Sequence, residues 1–299
     1  MLFLPTGYHS GMTLFAPLLI SGADARTYLQ GQVTVDLDTL TRSNAVLACV
    51  NSAQGRVQAV FTLIERAEGI VLLVVPEMAE QLIARLRKYV LRAKVKIEAA
   101  PLIVAGVSSE QRAALNEPAL PSRAHREIDG RSIVSWLSND DRYLLIESQA
   151  HDSTSQAPRD SMSPEQWLLA DVRAGIPHIF PQTHEAFIAQ MLNLDALGGI
   201  SFEKGCYTGQ EIVARMHFRG AVKRRMARYA TTGVPPLPGA RLVFEGTHAG
   251  DVVYAAATQS GSEVLAVINL GQANSVIQLE DRPTAGMQPL ALPYSVNGT

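Results

Sequence analysis

The sequence predicts an α+β protein that ends in a small β-barrel. Short strands rich in β-branched residues mix irregularly with a few amphipathic helices over the first half of the 299 residues. No glycine-rich phosphate-binding sequence follows a predicted strand, which argues against a Rossmann or P-loop domain. After a proline-rich stretch at residues 234–239, short strands recur at the spacing of a barrel. We expect two or three packed units.

The first half contains early strands and two helices. We predict a short helix at residues 24–30, followed by strands at 45–50, 57–64 and 70–75. A second helix is predicted at 77–92, because four apolar residues share one of its faces: Leu82, Ile83, Leu86 and Val90. Further strands are predicted at 94–97, 102–107, 132–137 and 143–146.

The second half begins with a polar surface connection, predicted at residues 149–161. A helix follows, with Ser163 as its N-cap, Pro164 in its first position and Gln166 as the capping-box partner; Gly175 ends it. We predict one more helix at 208–216 and barrel strands at 223–231, 240–244, 251–258, 263–270 and 275–279. The chain is therefore divided into residues 1–150, residues 151–221 and the barrel at 222–299.

Composition limits the possible functions. The chain is 47% hydrophobic and 18% charged, with a net charge of −2. Its two cysteines lie far apart in sequence and cannot supply a stable metal or cluster site alone. The N-terminus has no Lys or Arg before Arg26, and no apolar stretch reaches membrane-spanning length. We expect a cytoplasmic protein with no membrane partner and no resident metal.

Residues 204–211, Lys-Gly-Cys-Tyr-Thr-Gly-Gln-Glu, mark the candidate reactive centre. Cys206 lies just ahead of the predicted helix, for which Thr208 and Glu211 have capping-box spacing. A helix N-terminus favours a thiolate over a thiol, and Lys204 adds a positive charge. We predict a reactive Cys206 with Lys204 as its catalytic partner, the alternative being a buried structural cysteine.

Three chemical roles remain open for Cys206: covalent nucleophile, transient ligand of iron or a cluster, and redox-sensitive thiol. A nucleophile needs a base, but His217 lies at the far end of the same predicted helix. His178 and His184 are interpreted as surface histidines, and Cys49, in an apolar strand, as structural. We favour a thiol that transiently engages iron, sulfur or a client protein.

One basic run stands out in the sequence. Six cations lie within fourteen residues that contain no acid: Arg215, Arg219, Lys223, Arg224, Arg225 and Arg228. Such a run can hold an anionic ligand, meet RNA or an acidic protein, or form a solvated face. The sequence leaves these alternatives open.

The motif and its surroundings resemble the YgfZ family of folate-binding proteins. The match runs from residue 193 through the octapeptide to residue 224. It extends to short segments along nearly the whole chain, at 22–24, 30–32, 88–90, 93–95, 166–167, 174–177 and 292–295. Members of this family are relatives of the glycine-cleavage aminomethyltransferase, and their mitochondrial counterparts assist iron–sulfur cluster maturation.

The resemblance implies a three-part ring, in which residues 1–150 form a folate-binding region with a ferredoxin-like portion. It implies tetrahydrofolate as cofactor and a role in assembling or repairing iron–sulfur clusters in client enzymes, including tRNA methylthiotransferases. A folate needs an aromatic wall, a polar edge and cations for its tail. We assign the wall to Phe15 and Trp167, an acceptor to Asp171, and the cations to Arg219 and Lys223; ordinary core packing is the alternative for the two rings.

Two departures from the family pattern bear on activity. Residues 54–59 lack the acid that aminomethyltransferases bring to the folate, and Arg173 stands where relatives often have a glutamate. We therefore expect an accessory factor rather than a turnover enzyme. The alternatives are a tetrahydrofolate-dependent aminomethyl transferase and an RNA-binding module that uses the basic run.

Overall fold

A computed structural model describes residues 13–137, 141–149, 161–220 and 222–296, and it confirms the α+β fold with a closed C-terminal barrel. The first sheet contains β1 Ala16–Ser21, β2 Ala45–Asn51, β3 Val57–Arg66, β4 Gly69–Val74 and β5 Lys96–Ala99. The second sheet contains β6 Leu102–Ser108, β7 His125–Ile128, β8 Arg131–Ser135 and β9 Arg142–Ser148. The barrel contains β10 Arg224–Thr231, β11 Arg241–Phe244, β12 Thr247–Thr258, β13 Gly261–Asn269, β14 Ile277–Leu279 and β15 Arg282–Leu290.

Five α-helices connect or cover these sheets in the described ranges. They are α1 Ala25–Gln30, α2 Ala79–Arg87, α3 Ser109–Ala114, α4 Pro164–Ala174 and α5 Gln210–Phe218. The prediction for α4 is confirmed, because Ser163 and Gln166 form both hydrogen bonds of the capping box and Gly175 is left-handed at φ 67°. Helix α2 ends five residues before its predicted end at residue 92.

The first sheet has the strand order β2-β3-β4-β1-β5 and is antiparallel throughout. Most of its side chains are buried on both faces, in the largest hydrophobic core of the described chain. The sequence analysis missed β1 because Pro17 interrupts its pattern. Pairing between β1 and β5 begins only at Leu18, so the missing N–H of Pro17 costs the sheet little.

The second sheet has the order β6-β9-β8-β7. Strand β7 reads His-Arg-Glu-Ile and α3 is short and polar, so neither gave a periodic signal. The barrel closes in the order β10-β13-β12-β11-β14-β15, where Arg228 of β10 pairs with Leu290 of β15. Two prolines and a glycine hid β15 from prediction, yet this strand completes the closure.

Parts of the domain prediction fall on undescribed positions. Residues 150–160, most of the expected surface connection, lie outside the described residues, as do the predicted boundary positions 150 and 221. The division at those two positions stays a prediction. Where the chain is described, no helix combines the length and the apolar character that crossing a membrane requires.

Candidate functional site

Helix α5 begins at Gln210, directly behind the octapeptide. The predicted Thr208–Glu211 capping box is wrong, because Gly209 is the N-cap and no side chain caps the helix. Gly209 is left-handed at φ 80°, and a Cβ on it would lie 2.5 Å from the carbonyl oxygen of Ser52 and 3.0 Å from the Cα of Gly55. The helix start is therefore pressed against the loop between β2 and β3.

The side chain of Cys206 is exposed, as predicted. Two of its neighbours in sequence, Lys204 and Tyr207, are buried, each 7% exposed. Gly205, between Lys204 and Cys206, is exposed. Among the described residues, no side-chain hydrogen bond to the Cys206 sulfur is formed. The thiol is thus presented to solvent between two buried anchors.

The sequence analysis assigned Lys204 as the partner of Cys206, and in the structure the Lys204 side chain is bonded to the backbone of a distant turn. Its Nζ donates hydrogen bonds to three backbone carbonyl oxygens, those of Gln30 at 2.7 Å, Val33 at 2.9 Å and Val35 at 2.7 Å. Burial lowers the pKa of Lys204 to about 8, although the negative charges of Asp36 and Asp38 act to raise it. This lysine stabilises the turn that follows α1.

Further hydrogen bonds connect the residues around Lys204 and Cys206 to the same turn. The Ser201 N–H donates to the Thr34 carbonyl at 2.9 Å, and the Thr208 N–H donates to the Gly31 carbonyl at 3.3 Å. The Thr34 hydroxyl donates to the Gly199 carbonyl at 2.6 Å. Residues 199–208, here called the Cys206 segment, are therefore held at both ends and in the middle.

Only half of the basic run is available to a partner. Arg224 pairs with Asp251 at 2.6 Å and Arg225 with Asp195 at 2.6 Å. Arg228 lies 3.8 Å from a Glu263 oxygen. The three cations nearest the Cys206 segment, Arg215, Arg219 and Lys223, are exposed and have no side-chain partner within the described ranges.

Three of the predicted folate residues, Phe15, Trp167 and Asp171, lie together in the protein core. The Phe15 ring lies 6.4 Å from the Trp167 ring, centroid to centroid, and stacks at 5.2 Å on Trp136. Phe15, Trp136 and Trp167 are at most 2% exposed. The two rings assigned to the aromatic wall therefore contact protein on their faces and edges.

Asp171 lies beside these rings, and protein donors occupy both of its carboxylate oxygens. Its Oδ1 accepts from the Trp136 indole at 2.7 Å and from Arg142 at 2.8 Å, and its Oδ2 lies 2.7 Å from Nε2 of His178. Burial raises the pKa of Asp171, but Arg142 and His178 outweigh it and hold that pKa below its ordinary value. The Arg142 guanidinium also covers Trp167, 4.5 Å from its ring centroid.

This arrangement does not fit the predicted role of the cluster in binding tetrahydrofolate. A pterin needs an exposed ring face and a free acceptor, whereas Phe15 and Trp167 are buried and both Asp171 oxygens are occupied. The single unpartnered polar atom here is the Trp167 indole nitrogen, a donor. Two cavities, of about 240 and 10 Å³, are lined by other residues.

The remaining predicted folate residues lie away from this cluster. Arg219 and Lys223 follow α5, beyond the Cys206 segment. Arg173, the departure from the family pattern, is exposed and pairs with Glu263 at 2.9 Å. A guanidinium only donates hydrogen bonds, so Arg173 cannot provide the acceptor that a glutamate would provide at this position.

Sequence reasoning missed three members of the buried cluster. Trp136 and Arg142 carried no local signal, because their partner Asp171 lies about thirty residues away in sequence. His178 was interpreted as a surface residue but is 4% exposed and bonded to Asp171. The Gly-Ile-Pro that precedes it ends α4 and turns the chain back along that helix, so only the fold reveals this contact.

Cys49 and the histidines complete the inventory of reactive groups. Cys49 is fully buried in β2, and burial raises the pKa of its thiol to about 12. His217 stacks on Phe202 with 3.7 Å between ring centroids, at the opposite end of α5 from Cys206. Across the described positions, no three His, Cys, Asp or Glu side chains are grouped so that they could hold a metal ion.

Comparison with known proteins places these features in context. The chain is 34% identical over 300 residues to the tRNA-modifying protein YgfZ of Edwardsiella ictaluri, covering 94% of this chain and 90% of that protein. It is 33% identical to the YgfZ of Yersinia pestis over 94% of this chain and 91% of the relative. The YgfZ of Escherichia coli O157:H7 is 34% identical, over 95% and 93% of the two chains.

A solved structure shares the fold at low sequence identity. The glycine cleavage system aminomethyltransferase T of Bartonella henselae superposes with a TM-score of 0.71 at 13% identity, over 94% of this chain and 84% of that one. No protein-family model matches the sequence. The chain therefore has the fold of an aminomethyltransferase and the sequence of a different family.

Proposed function

The chain belongs to the family of YgfZ tRNA-modifying proteins, and from this premise we propose that it supports tRNA modification as an accessory factor that acts through Cys206. One observation carries the proposal: an exposed thiol is held between two buried anchors, Lys204 and Tyr207. A fixed and accessible sulfur can meet a metal centre carried by another protein at small cost in conformational entropy.

The chemistry of a single thiol favours transient engagement of iron or of an iron–sulfur cluster. Thiolate sulfur is the ligand type that such clusters use, and a cluster normally takes four of them. Cys206 supplies one ligand, so the client protein provides the others and the cluster is cargo rather than a resident cofactor. Clients of this kind include the iron–sulfur enzymes that methylthiolate tRNA, which links the thiol to tRNA modification.

Two features support an accessory role over covalent catalysis. His217 lies near the C-terminal end of α5, about 10 Å along the helix axis from Gln210, and its ring is stacked on Phe202. The stretch at residues 54–59, which leads into β3, lies against the start of α5 through Gly55 and carries no acid. Aminomethyl transfer needs such a carboxylate, so we expect no turnover in an aminomethyl-transfer assay with tetrahydrofolate.

Tetrahydrofolate, the cofactor that the family resemblance implies, has no part in this proposal. Its predicted residues are closed on one another, and a bound pterin would have to separate Asp171 from Arg142 and Phe15 from Trp136. Breaking the buried ion pair between Arg142 and Asp171 would cost several kcal/mol. The proposed action of Cys206 needs no ligand at that cluster.

Complementation in cells tests the role of Cys206. In cells that lack their own YgfZ, the parent protein and Cys206→Ser are expressed, and the methylthiolated fraction of tRNA nucleosides is measured by mass spectrometry. We expect the parent to restore methylthiolation and Cys206→Ser to fail, because a hydroxyl is a poor ligand for iron–sulfur centres.

A buried cysteine gives the matched control. Cys49→Ala also removes one thiol, but at a fully buried position in β2, so it is expected to restore methylthiolation as the parent does. Western blotting confirms equal expression of the variants. Full restoration by Cys206→Ser would refute the thiol-centred function, whatever the result with Cys49→Ala.

A further inference from the structure

Three aromatic rings gather on the surface at the C-terminal end of α5. Phe202 and His217 are stacked with centroids 3.7 Å apart and planes inclined by 15°. Phe218 meets His217 edge-on, with the ring centroids at 4.7 Å. Phe202 belongs to the Cys206 segment and the other two residues to α5, so the two elements meet through this ring cluster.

The ring cluster is exposed to an extent that core packing does not explain. Phe218 is 68% exposed and is the most exposed aromatic residue among the large apolar side chains of the described chain. Leaving most of a phenylalanine ring in water forfeits about 1–2 kcal/mol of burial energy. Such rings commonly mark a binding surface.

Three exposed cations lie within a few residues of Phe218 in the sequence. Arg215, Arg219 and Lys223 are exposed and lack side-chain partners in the part of the chain that the structure describes. Two exposed acids lie nearby: Glu211, in the first turn of α5 at the Cys206 end, and Glu203, beside Phe202. The ring end of α5 is therefore the basic end, and its three cations outweigh the partial negative charge of the helix C-terminus.

We propose that the ring cluster and its three cations bind unpaired nucleotides of RNA. Single-stranded RNA is recognised by aromatic faces on which bases stack, combined with Lys and Arg side chains that meet phosphates. An acidic protein partner would use the cations but would not need an aromatic ring with a face open to solvent. Phe218 supplies that face, and Arg215, Arg219 and Lys223 contact the backbone phosphates.

The position of this surface links it to the proposed function, on which the choice of tRNA as the RNA rests. Phe202 lies four residues from Cys206, so the chain between them spans at most about 14 Å. An unpaired tRNA loop of several nucleotides bound on the ring cluster would be long enough to reach the exposed thiol. The surface thus brings the RNA substrate of a client enzyme close to the sulfur that engages the client.

A direct binding measurement tests the proposal. The fluorescence anisotropy of a fluorescein-labelled, single-stranded oligoadenylate and of an unmodified tRNA transcript is titrated with the full chain at several salt concentrations. We expect Phe218→Ala to weaken binding by about ten-fold through loss of stacking on one base. Arg219→Ala is expected to reduce the slope of log K against log salt by about 0.7 for the single strand.

The control variants separate this proposal from its rivals. Leu91→Ala removes another highly exposed apolar side chain, far along the sequence, and is expected to bind as the parent does. Cys206→Ser should also bind RNA normally, so failure of the thiol function and failure of RNA binding are independent outcomes. No binding by the parent at low salt, or unchanged binding by Phe218→Ala, would overturn the proposal. Displacement of the RNA by polyglutamate without any effect of Phe218→Ala would identify an acidic-protein surface and would also overturn it.

Discussion

The Nζ atom of Lys204 lies 2.7 Å from the carbonyl oxygen of Val35, at the far side of a turn 169 residues earlier in the chain. Two further carbonyls, of Gln30 and Val33, complete its hydrogen bonds. The residue two positions before Cys206 therefore builds the platform that presents the thiol.

Replacing this lysine should destabilise the fold without removing any reactive group. Lys204→Met keeps most of the side-chain volume but leaves three buried carbonyl groups without their donor, so the free energy of unfolding should fall by about 3 kcal/mol. Urea denaturation measures this change. Lys223→Met, at an exposed lysine, should stay within about 0.5 kcal/mol of the parent, and equal effects of the two variants would contradict the platform role.

Replacing Gly209 at the start of α5 should destabilise the protein. Gly209→Ala forces a side chain into a left-handed conformation and against the Ser52 carbonyl, so we expect a loss of about 1–3 kcal/mol and a lower melting temperature. Gly205→Ala provides the matched control, because a Cβ there has no heavy atom within 4 Å. If calorimetry gave both variants the melting temperature of the parent, the close packing at Gly209 would be wrong.

Thiol labelling should distinguish the two cysteines. In the native protein, Ellman's reagent is expected to titrate Cys206 alone, because Cys49 is completely buried. In guanidinium chloride both thiols should react, and native Cys206→Ser should give no fast reaction. A native protein in which neither thiol reacts would contradict the exposed position of Cys206.

Acid should weaken the second sheet through His125. This residue is 3% exposed, its Nε2 lies 3.0 Å from the Ser132 hydroxyl, and burial together with Arg66 lowers its pKa to about 4. Between the ordinary pKa of 6.5 and about 4, the unfolded chain takes up a proton that the folded chain excludes. The free energy of unfolding should therefore fall as the pH drops through this window, by on the order of 1–3 kcal/mol from this group.

Comparison with a variant isolates that contribution. His125→Gln retains a polar group but cannot titrate in this range, so its free energy of unfolding should fall less between pH 6.5 and pH 4. Urea denaturation across this pH range provides the measurement. Parallel pH profiles for the parent and His125→Gln would show that His125 is not held neutral in the folded protein.

Tetrahydrofolate should not bind the aromatic cluster in its closed arrangement. Calorimetric titration of the parent with tetrahydrofolate is expected to give no heat of binding, because protein donors occupy both Asp171 oxygens and the Phe15 and Trp167 rings are buried. Heat from the parent that disappears in Trp167→Ala would place a folate site at this cluster. That result would overturn the conclusion that these residues do not fit the cofactor.

Local patterns predicted much of the fold correctly. The helix at Pro164–Ala174 was specified by Ser163, Gln166 and Gly175, all within a few residues of its ends. The strands that were missed either contain prolines or are polar, so their sequences lack the period-2 pattern. Their pairing with neighbours, such as β15 with β10, supplies the hydrogen bonds that the local sequence does not signal.

Some features of the candidate site could be predicted from the sequence and others could not. The octapeptide identified Cys206 from sequence, since its glycines and the following helix are local features. The partner of Lys204 could not be predicted, because its three acceptors lie about 170 residues away. The basic run was overestimated for the same reason: Arg224 and Arg225 are neutralised by acids outside the run.

The amino-acid sequence by itself determined the fold class, the barrel, the capped helix and the position of the exposed thiol. These depend on periodicity and on residues near one another in the chain. Only the tertiary structure decided which charges are free, that Asp171 is paired with Arg142 and His178, and that Phe202 and Phe218 share one surface. Ion pairing, burial and ring stacking depend on distances in space, and folding brings together residues whose separation along the chain carries no signal of their contact.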